Sequence, residues 1–189
     1  MISLSNYLDD LFGTVGAAEV TNGSGQPVGV DDAIVEVINL LHQVRDSGAK
    51  NIFVGNGGSA AIASHMAIDY SKNGRLPSLA FNDGPALTCL GNDLGYENVF
   101  AEQIKLQARP GDLLFAISSS GASANILAAV RQATASGCQI ITLSGFAPDN
   151  PLRGSGILNW YVASSEYGLV EISHLVICHA ILDYEMGRS

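Results

Sequence analysis

Four side chains that can carry protons occur at helical spacing in two separate segments of the chain. His65 and Asp69 are four residues apart, so a helix there presents them on one face. Glu171 and His179 are eight residues apart near the C-terminus, roughly two helical turns, and can also face one way. Two imidazoles and two carboxylates can transfer protons or coordinate a zinc ion. Taken singly, each residue is more often a packing, capping or solvated residue, so spacing alone leaves both interpretations open.

Two turns rich in glycine and serine are candidates for an anion site. GNGGS follows the apolar run 51–54, and SSSGAS follows the apolar run 112–118. Each turn leads from a predicted strand into a predicted helix, where free backbone N–H groups attract phosphate and glycine lets the backbone approach it. The nucleotide P-loop lysine and the third glycine of the dinucleotide motif are both missing. The turns therefore predict a cradle for the phosphate of a small metabolite, with tight turns and helix N-caps as the alternative.

Apolar runs that alternate with helical patterns predict the elements that position these groups. We expect strands at 51–54, 77–81, 112–118, 138–145 and 158–163. We expect the main helices at 59–72, 85–90, 97–107, 122–136 and 168–186, and one more that Asp31 or Asp32 caps. The polar segment 21–29 and GND at 91–93 are expected to be loops. Strands that are apolar throughout favour a parallel sheet covered on both faces. We therefore predict one α/β domain over 31–189, after an N-terminal helix and Gly-rich loop over 1–30.

Composition limits the function classes. Of the 189 residues 47% are hydrophobic and 14% charged, against roughly 25% charged in ordinary soluble proteins, which suggests a surface partly covered by other subunits. The net charge of −9 disfavours nucleic-acid binding. No apolar run reaches the roughly 18 residues of a membrane span, and the acidic start is unlike a signal peptide. Cys89, Cys138 and Cys178 form no CxxC pair and are expected to be free buried thiols. We expect a cytoplasmic, self-associating protein without nucleic-acid or membrane partners.

Four motifs in a fixed order carry a resemblance to a known family. GNGGSAAIASHMAID, LGND, AISSSGASANIL and VEISHLVICH resemble the SIS (sugar isomerase) domain family, and within it most closely the phosphoheptose isomerases. The resemblance covers about residues 30–186. It implies a five-stranded parallel sheet flanked by helices, a flavodoxin-like three-layer sandwich. It also implies a homotetramer with sites at subunit interfaces.

The resemblance implies roles for individual residues. It implies that Asp69 and His179 are catalytic, and that His65, Asp69, Glu171 and His179 bind one zinc ion (Zn2+) per subunit, with no nucleotide cofactor. His174 is expected to pack or to support the site from behind. Residues implied to contact the phosphorylated substrate come from the first turn, the LGND loop, the serine turn and the last helix: Asn56, Gly57, Gly58, Ser59, Asn92, Asp93, Ser118, Ser119, Ser120, Ser123 and Glu171.

The implied activity is an aldose–ketose isomerisation through an enediol, most closely that of sedoheptulose 7-phosphate to D-glycero-D-manno-heptose 7-phosphate. Asp69 would take a proton from the carbon beside the carbonyl, Asp69 or His179 would return one to the neighbouring carbon, and His179 would assist ring opening. Asp69 stands where the family has glutamate, and Glu171 where it has glutamine. These departures leave open an isomerase of another long or modified sugar phosphate. A non-catalytic SIS-fold binding or regulatory protein is the third alternative.

Overall fold

The computed structural model describes residues 3–188, which form one layered α/β arrangement. The strands are β1 (Glu19–Asn22), β2 (Pro27–Val28), β3 (Asn51–Gly55), β4 (Ser78–Ala80), β5 (Leu113–Ser118), β6 (Gln139–Ser144) and β7 (Leu158–Tyr161). The helices are α1 (Leu4–Gly16), α2 (Val30–Ser47), α3 (Gly58–Lys72), α4 (Gly84–Leu94), α5 (Val99–Gln107), α6 (Ala124–Ala135) and α7 (Tyr167–Glu185). Short 3-10 turns occur at Tyr96–Asn98 and Pro151–Gly154. Within this range no helix is long and apolar enough to cross a membrane.

The strands form one sheet in the order β2-β1-β7-β6-β5-β3-β4. The five strands from β7 to β4 are parallel, as predicted. After β3 the chain enters α3, which packs on one face of the sheet with α2 and α7, whereas after β5 it enters α6, which packs on the other face with α5. The strand order therefore reverses between β3 and β5. A crevice opens at the carboxyl ends of the strands at such a switch point.

Buried apolar contacts hold the strands and the α3–α7 pair together. All six residues of β5 are buried, which explains its continuous apolar run. The rings of Phe53 and Phe115 stack at 4.6 Å, and Tyr70 of α3 lies edge-on to Phe53 at 5.2 Å. The Tyr70 hydroxyl donates to the Cys178 carbonyl of α7 at 3.0 Å, so a buried hydrogen bond joins the two helices. Burial raises the pKa of Tyr70 and raises that of Cys178 to about 12, so both groups stay neutral.

The expected five strands are two fewer than the sheet contains. The polar segment 21–29 is not a simple loop, because β1 and β2 form a hairpin there. Strand β1 also pairs antiparallel with β7, and Val20 is buried. The Asn22 side-chain oxygen accepts hydrogen bonds from the backbone of Ser24 and Gln26, which closes the turn. The boundary at residue 30 stays a prediction, although this hairpin extends the sheet.

Three smaller expectations were also wrong. Helix α2 starts at Val30 with Gly29 as its N-cap, so Asp31 and Asp32 lie in the first turn, where their charge favours the helix dipole, and do not cap it. The predicted loop at 91–93 is part of α4. All three cysteines are free, but only Cys178 is buried: Cys89 is exposed and Cys138 half-buried.

Candidate active site

The two Gly/Ser turns meet at the switch point, where they line a cavity of about 230 Å³. The turn after β3 forms one wall and the serine turn after β5 forms another, while the start of α7 closes the third side. The sequence prediction that the turns share one edge of the sheet is confirmed. The lining residues are Asn56, Gly57, Gly58, Ser59, Ser118, Ser119, Ser120, Ser123, Tyr167 and Glu171.

Serine side chains supply half of the residues that line this cavity. Ser119 is 5% exposed, and within the described part of the chain its buried hydroxyl has no hydrogen-bond partner. The hydroxyls of Ser118 and Ser123 lie 3.3 Å apart, and that of Ser120 accepts from the backbone of Ala122. No Lys or Arg of residues 3–188 is among the lining residues. An unpaired buried donor costs stability unless a ligand satisfies it, so Ser119 points to an acceptor-rich ligand.

Backbone conformation and close contacts with neighbouring atoms explain the three glycines of GNGGS. Gly57 adopts φ 54°, a conformation that glycine reaches without strain. A Cβ on Gly55 would lie 2.5 Å from the Ser59 carbonyl oxygen, and a Cβ on Gly58 would overlap the Glu171 carboxylate. The first turn of α3 therefore accepts the α7 carboxylate only because residue 58 has no side chain.

His65, Asp69 and His179 form a second cluster, between α3 and α7. His65 Nε2 lies 3.4 Å from Asp69 Oδ2, which confirms that the i,i+4 pair shares one face. The His65 and His179 rings are 5.3 Å apart between centroids, and one ligand atom from each of the three residues lies within 4.8 Å of the others. Two imidazoles and a carboxylate match the donor set of divalent zinc. Glu171 lies outside this group and lines the cavity instead.

Helices α3 and α7 run in the same direction past each other. Gly58 faces Glu171 near their starts, and His65 faces His179 further along. Seven residues separate Gly58 from His65, which at 1.5 Å per residue is about 10 Å along the helix axis. The cavity and the cluster therefore lie about 10 Å apart along the same pair of helices.

Asn92 and Asp93 do not line the cavity. They are exposed in the last turn of α4, where the Asn92 amide donates to Asp93 at 2.8 Å. The residues that approach the cavity from this side were not assigned from the sequence. Asn125, within AISSSGASANIL, pairs with Asn56, and the Tyr96 hydroxyl also reaches Asn56. Tyr167, the first residue of α7, also lines the cavity and was likewise missed, since no motif includes it.

His174 takes the packing role that we preferred for it. The ring is fully buried, and its Nε2 hydrogen bonds to the Ser144 carbonyl at 3.1 Å. Burial lowers its pKa to about 4, and the bond to Ser144 opposes part of that shift. This neutral imidazole fixes α7 against the end of β6.

Comparison with known proteins agrees with the site. A family model described as the SIS domain matches residues 30–145, which include both turns. Phosphoheptose isomerase from Campylobacter concisus is 40% identical over 141 residues, 71% of this chain and 74% of that protein. The chain belongs to the SIS domain family, on its phosphoheptose isomerase branch.

Two further relatives agree with this placement. The Solidesulfovibrio magneticus phosphoheptose isomerase is 45% identical over 104 residues, an alignment that spans about half of each protein, 52% of this chain and 51% of the relative. The structure of the Neisseria gonorrhoeae phosphoheptose isomerase superimposes with a TM-score of 0.75 at 28% identity, covering 96% of this chain and 99% of that one.

Proposed function

We propose that this protein is a sugar-phosphate isomerase that interconverts sedoheptulose 7-phosphate and D-glycero-D-manno-heptose 7-phosphate. The observation that carries the proposal is the pairing of a serine-lined cavity with a His/Asp/His cluster about 10 Å further along the parallel helices α3 and α7. One end of this site suits a phosphate and the other suits proton transfer. A long open-chain phosphosugar fills such a separation better than a triose or tetrose phosphate does.

The phosphate end orients the substrate. Ser118, Ser119, Ser120 and Ser123 would donate hydroxyl hydrogen bonds to the phosphate oxygens, together with the backbone N–H groups of the two turns. Asn56, Gly57, Gly58 and Ser59 form the opposite wall. Binding energy from this remote group would hold the reacting carbons in place, which is a large source of rate enhancement.

The cluster end would move the proton. The Asp69 carboxylate would take the proton from the carbon beside the carbonyl, which leaves an enediolate with its charge on the former carbonyl oxygen. The hydroxyl proton of the deprotonated carbon would pass to that oxygen, and Asp69 or His179 would return a proton to the former carbonyl carbon, so the carbonyl moves by one position and no atom is lost. His179 would also protonate the ring oxygen during ring opening. His65, 3.4 Å from Asp69 Oδ2, would keep that carboxylate oriented.

The donor set fits a metal ion, and we propose one zinc ion per subunit. His65, Asp69 and His179 would hold it. The family resemblance also implies Glu171 as a ligand, but its carboxylate lies outside this group and lines the cavity. When bound, zinc supplies positive charge beside the oxygens of the reacting carbons. We propose no nucleotide cofactor.

We further propose a homotetramer with sites at subunit interfaces. Large apolar side chains on α1 support it, because Leu4 is 73% and Phe12 66% exposed in the single chain. Asn92 and Asp93, exposed outside the cavity, would contact substrate in such an assembly. Light scattering tests this, and a monomer would contradict it. A cytoplasmic location without nucleic-acid or membrane partners completes the proposal.

Turnover of sedoheptulose 7-phosphate in deuterated water, followed by NMR with and without added zinc, tests the function. We expect deuterium beside the carbonyl together with formation of the aldose. His179→Ala should abolish both signals, whereas His42→Ala, a partly exposed histidine on α2, should leave them unchanged. The proposal fails if the wild-type protein binds the sugar phosphate without exchanging a proton.

An isomerase of another long or modified sugar phosphate is the second candidate. Glu171 favours it, because its carboxylate lines the cavity where the family has a neutral glutamine. A panel of phosphorylated ketoses in the same NMR assay separates the two candidates. Exchange with another ketose at a higher kcat/KM than with sedoheptulose 7-phosphate would select the second.

A further inference from the structure

Asn56 occupies the junction between the two ligand turns. Its side-chain Nδ2 donates to Asn125 Oδ1 at 2.8 Å, and Asn125 Nδ2 donates back to Asn56 Oδ1 at 2.8 Å. Asn125 is 3% exposed in the first turn of α6, which follows the serine turn. This reciprocal amide pair therefore ties the wall after β3 to the wall after β5.

A third group completes the junction. The Tyr96 hydroxyl donates to Asn56 Oδ1 at 3.1 Å, although the Tyr96 residue is 60% exposed. An amide oxygen has two acceptor sites, and both are now occupied. One Nδ2 hydrogen of Asn56 is already directed at Asn125. The hydrogen-bonding capacity left on the Asn56 side chain is one N–H, so this residue can offer a ligand a hydrogen-bond donor but no acceptor.

Tyr96 lies two residues after the end of α4, the helix that carries Asn92 and Asp93. Its hydroxyl bond to Asn56 joins this segment to the phosphate cavity across 40 residues of sequence. Three chain segments thus converge on one amide: the turn after β3, the start of α6 and the 3-10 turn that follows α4.

We propose that Tyr96 is a positioning residue for the proposed isomerase reaction. It acts through Asn56 by fixing the Asn56 amide as a donor toward substrate and by holding the end of α4 against the cavity. Tyr96 thereby raises affinity for a phosphorylated ligand without taking part in proton transfer. The inference rests on the proposed function only for its kinetic readout, since phosphate affinity can be measured without turnover.

Tyr96→Phe tests the proposal because it removes one oxygen and keeps the ring. Loss of one neutral hydrogen bond at the binding wall should raise KM for sedoheptulose 7-phosphate about three- to tenfold. The dissociation constant of inorganic phosphate, measured by calorimetry, should rise by a similar factor, while kcat stays within about twofold. Tyr184→Phe on α7, 50% exposed, is the matched control and should change none of these values.

A double-mutant cycle separates positioning from direct contact. In an Asn56→Ala background the Tyr96→Phe change should have no further effect, because its route to the ligand is gone. An equal rise in both backgrounds would mean that Tyr96 touches the ligand itself and would overturn the proposal. An unchanged KM, or a fall in kcat matching the rise in KM, would overturn it as well. If wild-type protein does not turn over the sugar, the proposed function fails, and the phosphate measurements alone decide the role of Tyr96.

Discussion

We expect the buried imidazole of His174 to make the stability of this protein sensitive to mild acid. The ring has no exposed surface, and Nε2 donates to the Ser144 carbonyl at 3.1 Å. Nδ1 is buried and finds no hydrogen-bond partner within residues 3–188. Protonation would place a charge and an unsatisfied N–H at Nδ1, which explains the lowered pKa of about 4.

The sign and size of the change in the free energy of unfolding follow from the pKa of His174 in the unfolded chain and in the folded chain. Histidine in an unfolded chain has a pKa of about 6.5, so between that value and about 4 the unfolded chain binds a proton that the folded chain does not. The free energy of unfolding therefore falls as the pH falls through this window. Relative to pH 8, the loss from His174 is about 2 kcal/mol at pH 5 and approaches about 3 kcal/mol near pH 4.

Urea denaturation at pH 8 and pH 5 measures this loss, with the protein concentration held constant because the free energy of unfolding depends on concentration wherever subunits associate. His174→Gln is the comparison variant, since it keeps a side-chain N–H for the Ser144 carbonyl and cannot take up a proton in this range. The wild-type protein should lose about 2 kcal/mol more than the variant between the two pH values. Equal losses would show that His174 is not the group that makes the fold acid-sensitive.

Three further substitutions test other parts of the structure. Asp112→Ala should lower the free energy of unfolding by about 2–4 kcal/mol. The Asp112 carboxylate is 1% exposed and accepts hydrogen bonds from two backbone N–H groups and a lysine ammonium. A loss under about 1 kcal/mol in denaturant titrations would contradict this prediction. Ser119→Ala should raise KM for the phosphorylated substrate about tenfold without lowering thermal stability, since its buried hydroxyl has no partner in the described chain; an unchanged KM would remove it from the cradle. Gly55→Ala should destabilise by about 1–3 kcal/mol because its Cβ would lie 2.5 Å from the Ser59 carbonyl oxygen, a backbone atom that cannot move aside, whereas Gly13→Ala on α1, with nothing within 4 Å of its Cβ, should not; equal effects would refute the clash.

The parallel part of the sheet could be predicted from the sequence because each central strand is apolar on both faces. The run 112–118 has this pattern, and all of β5 is buried. The β1–β2 hairpin could not be predicted in this way, since its strands are short and partly polar. Its stability depends on pairing with β7, which lies more than 130 residues later. Gly91, Asn92 and Asp93 are weak helix formers, yet they continue α4, so the surrounding structure overrides local propensity there.

Part of the candidate site could likewise be predicted from the sequence, and part could not. The i,i+4 spacing of His65 and Asp69 predicts a shared face because both residues lie on one helix, and their contact at 3.4 Å agrees. Contacts between elements have no such periodic signal. The pairing of Asn56 with Asn125 joins residues 69 apart, and it depends on β3 and β5 being neighbours in the sheet.

Asp69 and Glu171, the two residues at which the family resemblance implies a departure, lie at opposite ends of the α3–α7 pair, so we expect them to act on different parts of a bound sugar. Asp69 is in the cluster, where a carboxylate one methylene shorter than glutamate stays within reach of His65 on its own helix. Glu171 is at the cavity end, where residues 3–188 supply no lining Lys or Arg to offset its charge. A phosphate dianion that binds there must be held by hydroxyls, backbone N–H groups and the helix starts of α3 and α6. Because these donors are neutral, the carboxylate of Glu171 lowers the phosphate affinity that they can provide. Glu171→Gln should therefore tighten inorganic phosphate binding by at least about threefold, and unchanged or weaker binding would mean that the carboxylate is neutralised in the assembled site.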